Sequence, residues 1–450
     1  MDKINIPDSV LNIIYTLERN KHSAFLVGGC VRDHLLGVTP TDFDITTSAC
    51  PWEVKEIFSD CQVIPTGEKH GTVTVISSGT PFEITTFRLE SGYSDGRHPD
   101  KIEFSCSIED DLARRDLTVN AIAYSPTAGF VDPYDGIEDI KHRIIRAVGD
   151  PKRRFAEDSL RVLRALRFSS TLSFEIESET EKELFTLKDG LKRISAEKIY
   201  TELKKLLCGR DAGKIIQKYP EIIGTVIPEL LPMIGFDQKN RYHKYDLLEH
   251  TVRVVDGVPP LPHLRFAALL HDVEKPSTFT LDSVGGHFYG HEKKSGETAK
   301  AIMERLKADK DTRDKVVCLV LNHGLVLQKD NKFIKRCLNR YGKDTFRDII
   351  LLSLSDNSAL SDLCSDRPEK IREISLLTEN IISLEPCLTI KDLKIDGNDL
   401  ISLGLTPGKD IGTVLNEILS AVIDGDTENE KDLLIKKAEE IIRIKIQKSR

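Results

Sequence analysis

Long apolar runs are missing from this 450-residue chain: no stretch of eighteen or more uninterrupted apolar residues occurs, so no membrane-spanning helix is expected. The opening residues, MDKINIPDSV, have no apolar signal core, and the expectation is a soluble, cytoplasmic protein with no membrane partner. Its nine cysteines form no C-x-x-C pair and are odd in number, which argues against a disulfide framework or a zinc site and for reduced thiols. Positive charge is not in excess either. The net charge of −8 speaks against nucleic-acid binding through bulk charge alone. Internal repeats and low-complexity tracts are absent as well.

What is present is enough apolar material for packed cores, 40% of the residues, in a chain long enough for two to four domains. Charge is also unevenly placed. Between Lys141 and Arg167 nine Lys or Arg stand against three acids, a belt suited to a phosphate backbone.

The most informative stretch is AFLVGGCVRDHLLGVTPTDFDIT, Ala24 to Thr46. It reads as strand, glycine turn (Gly28, Gly29), short helix (Val31 to Leu36) and second strand. Alternation along that strand turns Asp42 and Asp44 to one side, with Cα atoms about 6.5 to 7 Å apart. Paired carboxylates suit two divalent ions, which with a nucleoside triphosphate activate an attacking hydroxyl and stabilise the departing pyrophosphate. The glycines let the backbone approach the triphosphate, and Arg32 can add a bidentate phosphate contact.

Beyond it, HGTVTVI (His70 to Ile76) and FEITTF (Phe82 to Phe87) alternate β-formers around a turn and predict a hairpin. Glu83 falls on the face opposite Phe82 and Ile84, either as a third carboxylate near the metals or as a surface glutamate. The Gly, Ser, Asp and Pro-rich segment from Arg88 to Phe104 reads as a mobile loop. In DLARRDLTVNAIAY, Arg115 is placed to contact a nucleotide, with Arg114 beside it. Asp116 and Asn120 are placed to bond a ribose hydroxyl or to hold arginines.

From about Lys141 the pattern turns helical. FAEDSLRVLRALRF, Phe155 to Phe168, sets Leu160, Leu163 and Leu166 three apart and predicts one helix carrying Asp158 and Arg161 as neighbours. A carboxylate accepts from the amino group of cytosine or adenine while a guanidinium donates to ring acceptors, so the pair can choose C and A over G and U. Arg164 and Arg167 wind around the same helix. RISAEKIYTELKKLL, Arg193 to Leu207, predicts another amphipathic helix with Ser195 as its N-cap.

The sequence GG-x-V-R-D-x-L-L-G followed by D-x-D resembles the class II tRNA nucleotidyltransferase and bacterial poly(A) polymerase superfamily. R-R-D-x-T-x-N-A and E-D-x-x-R (Glu157, Asp158, Arg161) extend the resemblance. It implies a polymerase β-type α/β head with a mixed sheet, followed by an all-α neck, body and tail. The implied activity is template-independent addition of CCA to the 3′ end of tRNA from CTP and ATP. Asp42 and Asp44 would hold Mg²⁺, Arg32 and Arg115 would bind the nucleotide, and Asp158 with Arg161 would act as an amino-acid template. The family's D-x-R-x-P loop appears as Asp95, Arg97 and Pro99, which favours CCA- or A-adding activity over CC-adding. An A-adding enzyme and a poly(A) polymerase are the alternatives, although TGEKHGTVTV lacks the basic pair of poly(A) polymerases.

A second constellation lies farther on. His250 precedes by about twenty residues RFAALLHDVEKP, which carries His271 and Asp272; Asp356 follows in SLSDNSALSD. Imidazoles and carboxylates of this kind are metal ligands, and the order resembles HD-domain phosphohydrolases. It implies a possible second divalent metal, with His291 and His323 lining the site. Glu274 stands where such segments often carry glycine. A chain that is mainly an HD phosphohydrolase with an RNA-binding head is the alternative from another class.

The expected domains are a catalytic head at 1–140, a nucleotide-selecting and RNA-binding neck at 141–210, an HD-bearing body at 211–379 and a tail from 380 to 450. The last helix, with Leu434, Ile435, Ile441, Ile442 and Ile446 among lysines, could grip tRNA, stay solvated or form a dimer contact. The sequence leaves the oligomeric state open.

Overall fold

The computed structural model describes residues 4–448 apart from 41, 78, 94–98 and 385, and only the backbone of 445–448. Asp95 and Arg97 of the expected loop therefore lie outside the described residues. Two compact units divide the chain, one formed by 1–231 with 304–308 and the other by 232–303 with 309–450.

The first unit begins with α1 (Asp8–Arg19), whose Val10, Ile13, Ile14 and Leu17 recur at helical spacing and are buried. Its strands are β1 (Ala24–Val27), β2 (Asp44–Thr47), β3 (Gln62–Gly67), β4 (Thr72–Ser77), β5 (Thr80–Thr86), β6 (Arg88–Ser91), β7 (Lys101–Phe104), β8 (Ala123–Ser125) and β9 (Gly129–Val131). Helices α2 (Gly29–Leu35), α3 (Pro51–Ile57), α4 (Ile108–Ala113) and α5 (Gly136–His142) interrupt them. A seven-stranded mixed sheet runs in the order β3-β4-β5-β2-β1-β8-β9, while β6 and β7 form a separate ribbon.

Register positions the chemistry. Val27 at the end of β1 faces Asp44 at the start of antiparallel β2. Parallel pairing of Ile45 with Ile84 then sets Glu83 beside Asp44. The expected hairpin forms as β4 and β5, with Val75 opposite Phe82 and Thr74 opposite Glu83. Phe82 and Ile84 are buried while Glu83 is exposed, as the alternation requires. Leu26, Ile45 and Ile84 are fully buried beneath this edge; each such side chain contributes about 1.5–3 kcal/mol relative to exposure.

The all-α remainder of this unit is α6 (Pro151–Glu157), α7 (Leu160–Leu172), α8 (Ser178–Leu187), α9 (Ala196–Leu207), α10 (Ala212–Lys218) and α11 (Pro220–Val226). Here one expectation fails. The single helix over Phe155 to Phe168 is broken at Asp158, whose backbone is extended (φ −139°, ψ 105°) and whose carboxylate accepts from Leu160 N at 3.0 Å. Ser195 does occupy the N-cap position of α9, but its side chain makes no capping hydrogen bond.

In the second unit follow α12 (Leu247–Gly257), α13 (Pro262–Leu270), α14 (Lys275–Thr278), α15 (His291–Arg305), α16 (Lys310–Asn322), α17 (Asn331–Tyr341), α18 (Lys343–Ser358) and α19 (Arg367–Ser383). Helices α12, α13, α16 and α18 pack together through buried residues such as Val254, Phe266, Leu319 and Leu352. The tail helices α20 (Gly397–Ser402), α21 (Lys409–Asp424) and α22 (Lys431–Lys448) have a core of their own around Leu400, Val414, Ile418 and Leu434. No described helix is long and apolar enough to cross a membrane.

Candidate nucleotide site and histidine cluster

Strand β2 begins at Asp44, so Asp42 sits in the extended segment just before it, and the expected strand starts two residues late. Both carboxylates reach solvent at the starting end of β2, a central strand of the sheet. Asp44 titrates above the ordinary carboxylate value because the protein strips water from it and because Asp42 and Glu83 add negative charge, against the opposing charge of Arg115. Three crowded carboxylates with one nearby guanidinium form an all-oxygen donor set that suits a hard divalent cation.

Gly28 joins β1 to α2 with φ +73°, a left-handed conformation that an L side chain adopts only under strain. A Cβ there would lie 3.2 Å from Arg115 Nη1 and 3.8 Å from Asp44 Oδ2. Gly28→Ala is therefore expected to keep the fold and slow nucleotide transfer roughly tenfold, from about 1–2 kcal/mol of strain at the reacting edge. Incorporation kinetics beside circular dichroism check this.

The guanidinium groups are placed by a chain of acids and amides. Asp111, fully buried in α4, accepts from Arg114 (Nη2 2.7 Å) and Arg115 (Nη2 3.1 Å). Arg32 donates to Asn120 Oδ1 at 2.6 Å and to Asp33 Oδ1 at 2.7 Å. Asp116 accepts from Arg164 Nε at 2.6 Å. Burial alone would raise the pKa of Asp116, but the charge and hydrogen bond of Arg164, then Arg161, hold it well below the carboxylate range. Two buried polar atoms in this group, Arg115 Nε and Asn120 Nδ2, have no partner in the protein. Buried donors are rarely left so in folded proteins.

Arg161 departs from expectation. Asp158 and Arg161 are not neighbours on one helix face, because the helix breaks between them. Arg161 Nη1 instead bonds Glu157 Oε2 and the Arg154 carbonyl, and its Nη2 bonds the Arg114 carbonyl. Arg167 turns to Glu202 Oε2 at 3.0 Å and lies 3.5 Å from the Phe168 ring centroid, which Arg32 and Arg164 also approach. The basic belt is thus divided: Arg154, Arg161, Arg164 and Arg167 are at least partly buried and pair with acids of the fold, Arg146 pairs with Asp139, and Lys141, Arg143, Lys152 and Arg153 are exposed. Sequence reading missed Asp111 and Phe168. Asp111 was detectable, since D-x-x-R-R puts both arginines within one turn of it.

The histidine cluster lies within the second unit. His250 comes from α12, His271 and Asp272 follow α13, His291 starts α15, His323 caps α16 and Asp356 sits in α18. His250 Nε2 is 3.0 Å from Asp356 Oδ1, and His271 Nε2 is 3.1 Å from Asp272 Oδ2. The Nε2 atoms of His291 and His323 approach Asp272 Oδ1 at 3.3 and 3.5 Å. His250 Nε2, His271 Nε2 and Asp272 Oδ1 are buried and without a hydrogen-bond partner, while Asp272 Oδ2 is ion-paired with Lys275 Nζ at 2.7 Å. Burial alone would raise the pKa of Asp272; His271 and Lys275 outweigh it and hold the carboxylate well below its ordinary value. Glu274 faces away, accepting from Thr298 Oγ1 at 2.6 Å and bonding Ser277, so its replacement of glycine leaves the cluster intact.

The chain is similar to known proteins over nearly its whole length. The poly A polymerase head domain family matches residues 24–146, and tRNA nucleotidyltransferase domain 2 matches 290–438. The chain is 35% identical over 434 residues to a CCA-adding enzyme of Leuconostoc mesenteroides, covering 96% of this chain and 95% of that one. It is 34% identical to a CCA-adding enzyme of Ligilactobacillus salivarius, covering 98% and 99%. The solved structure of Bacillus stearothermophilus CCA-adding enzyme in complex with CTP matches with a TM-score of 0.71 at 28% identity, covering 98% of both chains.

Proposed function

The chain belongs to the CCA-adding enzyme family, and from that premise we propose how its residues perform the reaction. It adds CCA to the 3′ end of tRNA from CTP and ATP without a nucleic-acid template. The terminal tRNA hydroxyl oxygen bonds to the α-phosphorus of the nucleotide as the bond to the β-phosphate oxygen breaks, and pyrophosphate leaves with that electron pair. Asp42 and Asp44, with Glu83 beside them, would hold Mg²⁺, which supplies activation of the hydroxyl and stabilisation of the leaving group. The observation that carries this reading is the meeting of Gly28, Asp44 and Arg115 at the β1–β2 edge, next to unpartnered Arg115 Nε and Asn120 Nδ2.

Arg115 and Arg32 bind the triphosphate and sugar in this proposal, with Asn120 Nδ2 free to donate to a ribose oxygen. Gly28 and Gly29 keep Cβ atoms out of the phosphate's path. Asp116 holds Arg164. Asp158 and Arg161 select the base, Arg161 exchanging its Glu157 contact for a ring acceptor when the nucleotide enters. Asp158→Ala is then expected to lower discrimination of CTP and ATP against UTP and GTP by roughly ten- to a hundredfold, since a good base contact is worth about 1–3 kcal/mol. Competing incorporation of all four nucleotides checks it. The domains at 1–140, 141–210, 211–379 and 380–450 would then be head, neck, body and tail, in a cytoplasmic protein.

Equilibrium binding of the four nucleoside triphosphates with Mg²⁺ tests the site itself. CTP and ATP should bind and be displaced by each other; equal binding of GTP and UTP would contradict a protein-built template.

A second reading concerns the histidine cluster, where the orphaned Nε2 atoms of His250 and His271 face the carboxylate of Asp272. We assign it a divalent metal and a secondary phosphohydrolase activity. A water oxygen bonds to phosphorus, the ester P–O bond breaks, and the alcohol leaves carrying a proton from that water.

A further inference from the structure

Three guanidinium groups surround one aromatic ring where α2 meets α7. The Cζ atoms of Arg32, Arg164 and Arg167 lie 5.1, 5.6 and 3.5 Å from the ring centroid of Phe168, which is buried. Resting on the reading that Arg32 binds the triphosphate, we infer that Phe168 is a positioning residue. Its ring fixes the guanidinium plane of Arg32 and so ties the triphosphate contact on α2 to the helix that carries Arg161.

The hydrogen bonds of Arg32 do not hold it in every direction. Nε and Nη2 donate to Asp33 Oδ1 at 3.0 and 2.7 Å, and Nη1 donates to Asn120 Oδ1 at 2.6 Å. The N–H bonds of a guanidinium lie in its plane, so these contacts resist sliding within that plane and leave tilting to be stopped by whatever packs on its face. Phe168 packs there. A guanidinium within about 6 Å of a ring centroid is drawn to the negative face of the ring, which gives the contact a preferred orientation as well as bulk.

The held orientation is one that can take an anion. Among the described residues three N–H groups of Arg32 are engaged, and two remain for a ligand. Nη2 lies 3.7 Å from the place of a Cβ on Gly29, so the guanidinium stands at the glycine turn that opens α2.

Three like charges about one ring would repel if they were bare. Each has its own carboxylate: Asp33 for Arg32 at 2.7 Å, Asp116 for Arg164 at 2.6 Å and Glu202 of α9 for Arg167 at 3.0 Å. Asp116 and Glu202 are buried, so Arg164 and Arg167 are anchored on the α7 side of the ring. Asp33 is half-buried and rides on the same short helix as Arg32, so it cannot by itself fix that arginine against α7. The ring supplies the missing link.

A double-mutant cycle on the full-length chain tests this. Phe168→Leu and Phe168→Met stay apolar and remove the ring face; two replacements are used so that one which folds poorly does not remove the test. With either, KM for CTP and for ATP should rise roughly two- to thirtyfold, the span of a cation–π contact, with kcat and the discrimination against UTP and GTP unchanged. Binding of inorganic tripolyphosphate with Mg²⁺, which offers neither base nor sugar, should weaken by the same factor. In an Arg32→Ala background the same Phe168 substitutions should weaken tripolyphosphate binding no further, because a positioning residue acts only through the group it positions. An equal loss in both backgrounds, or a fall in kcat with KM unchanged, would mean that the ring only fills space and would overturn the inference. Tripolyphosphate binding that survives Arg32→Ala would overturn the triphosphate reading of Arg32 itself, and is thereby told apart from a failure at Phe168.

Discussion

Replacing Asp44 by alanine is expected to abolish addition of both C and A, with a fall in kcat of about a thousandfold or more. Ion-mediated stabilisation of reacting and leaving oxygens is worth several kcal/mol, and each 1.36 kcal/mol is tenfold in rate. Because Asp44 is exposed and pairs with Val27 at the open end of the β1–β2 ladder, the fold should survive. Unfolding midpoints of the variant and parent should agree within about 2 °C, as for surface substitutions. A single-turnover assay with CTP on one transcript and ATP on another separates the outcomes. Loss of one nucleotide's addition and retention of the other's would mean that C and A are joined at different places.

The second large effect is on stability. Asp116→Ala removes the buried carboxylate that pairs with Arg164 and caps Leu117 N at 2.9 Å. The expected loss is about 2–3 kcal/mol, the low side of the range for breaking a buried pair, because Arg164 keeps partial contact with solvent. That corresponds to roughly 4–10 °C in the unfolding midpoint. The pH dependence has a definite sign. The folded pKa of Asp116 lies below its ordinary value of 3.8, so its stabilisation is complete above that pH and is lost as pH falls through the folded value. The gap in stability between parent and Asp116→Asn should therefore be constant near neutrality and shrink below about pH 4. A gap that widened in acid would contradict a carboxylate held ionised by Arg164.

Much of this was legible because local rules and tertiary structure agree. The strand, glycine turn and helix from Ala24 to Leu35 follow from burial and from a Gly at φ +73°, and the Phe82-Glu83-Ile84 alternation placed Glu83 on the open face. The break at Asp158 was hidden because the leucine spacing runs through the next helix, whereas the competing signal, Asp-Ser ahead of an apolar run, is an N-terminal cap. The destination of Arg161 could not be read at all, since its acceptors include the carbonyl of Arg114, 47 residues earlier. Likewise the pairing of His291 with His323 spans 32 residues and depends on how two helices pack. Charge counting misled for a related reason: it located the belt correctly but could not show that four of its arginines face acids inside the fold.

The most direct measurement uses three tRNA transcripts, ending before CCA, after C and after CC, each incubated with labelled CTP or ATP and Mg²⁺. The first two should take C from CTP, and the third a single A from ATP, with growth stopping there. Incorporation only into the CC-ending transcript, only from ATP, would mean an A-adding enzyme. Long A tails would mean a poly(A) polymerase, and either result would contradict CCA addition by this chain.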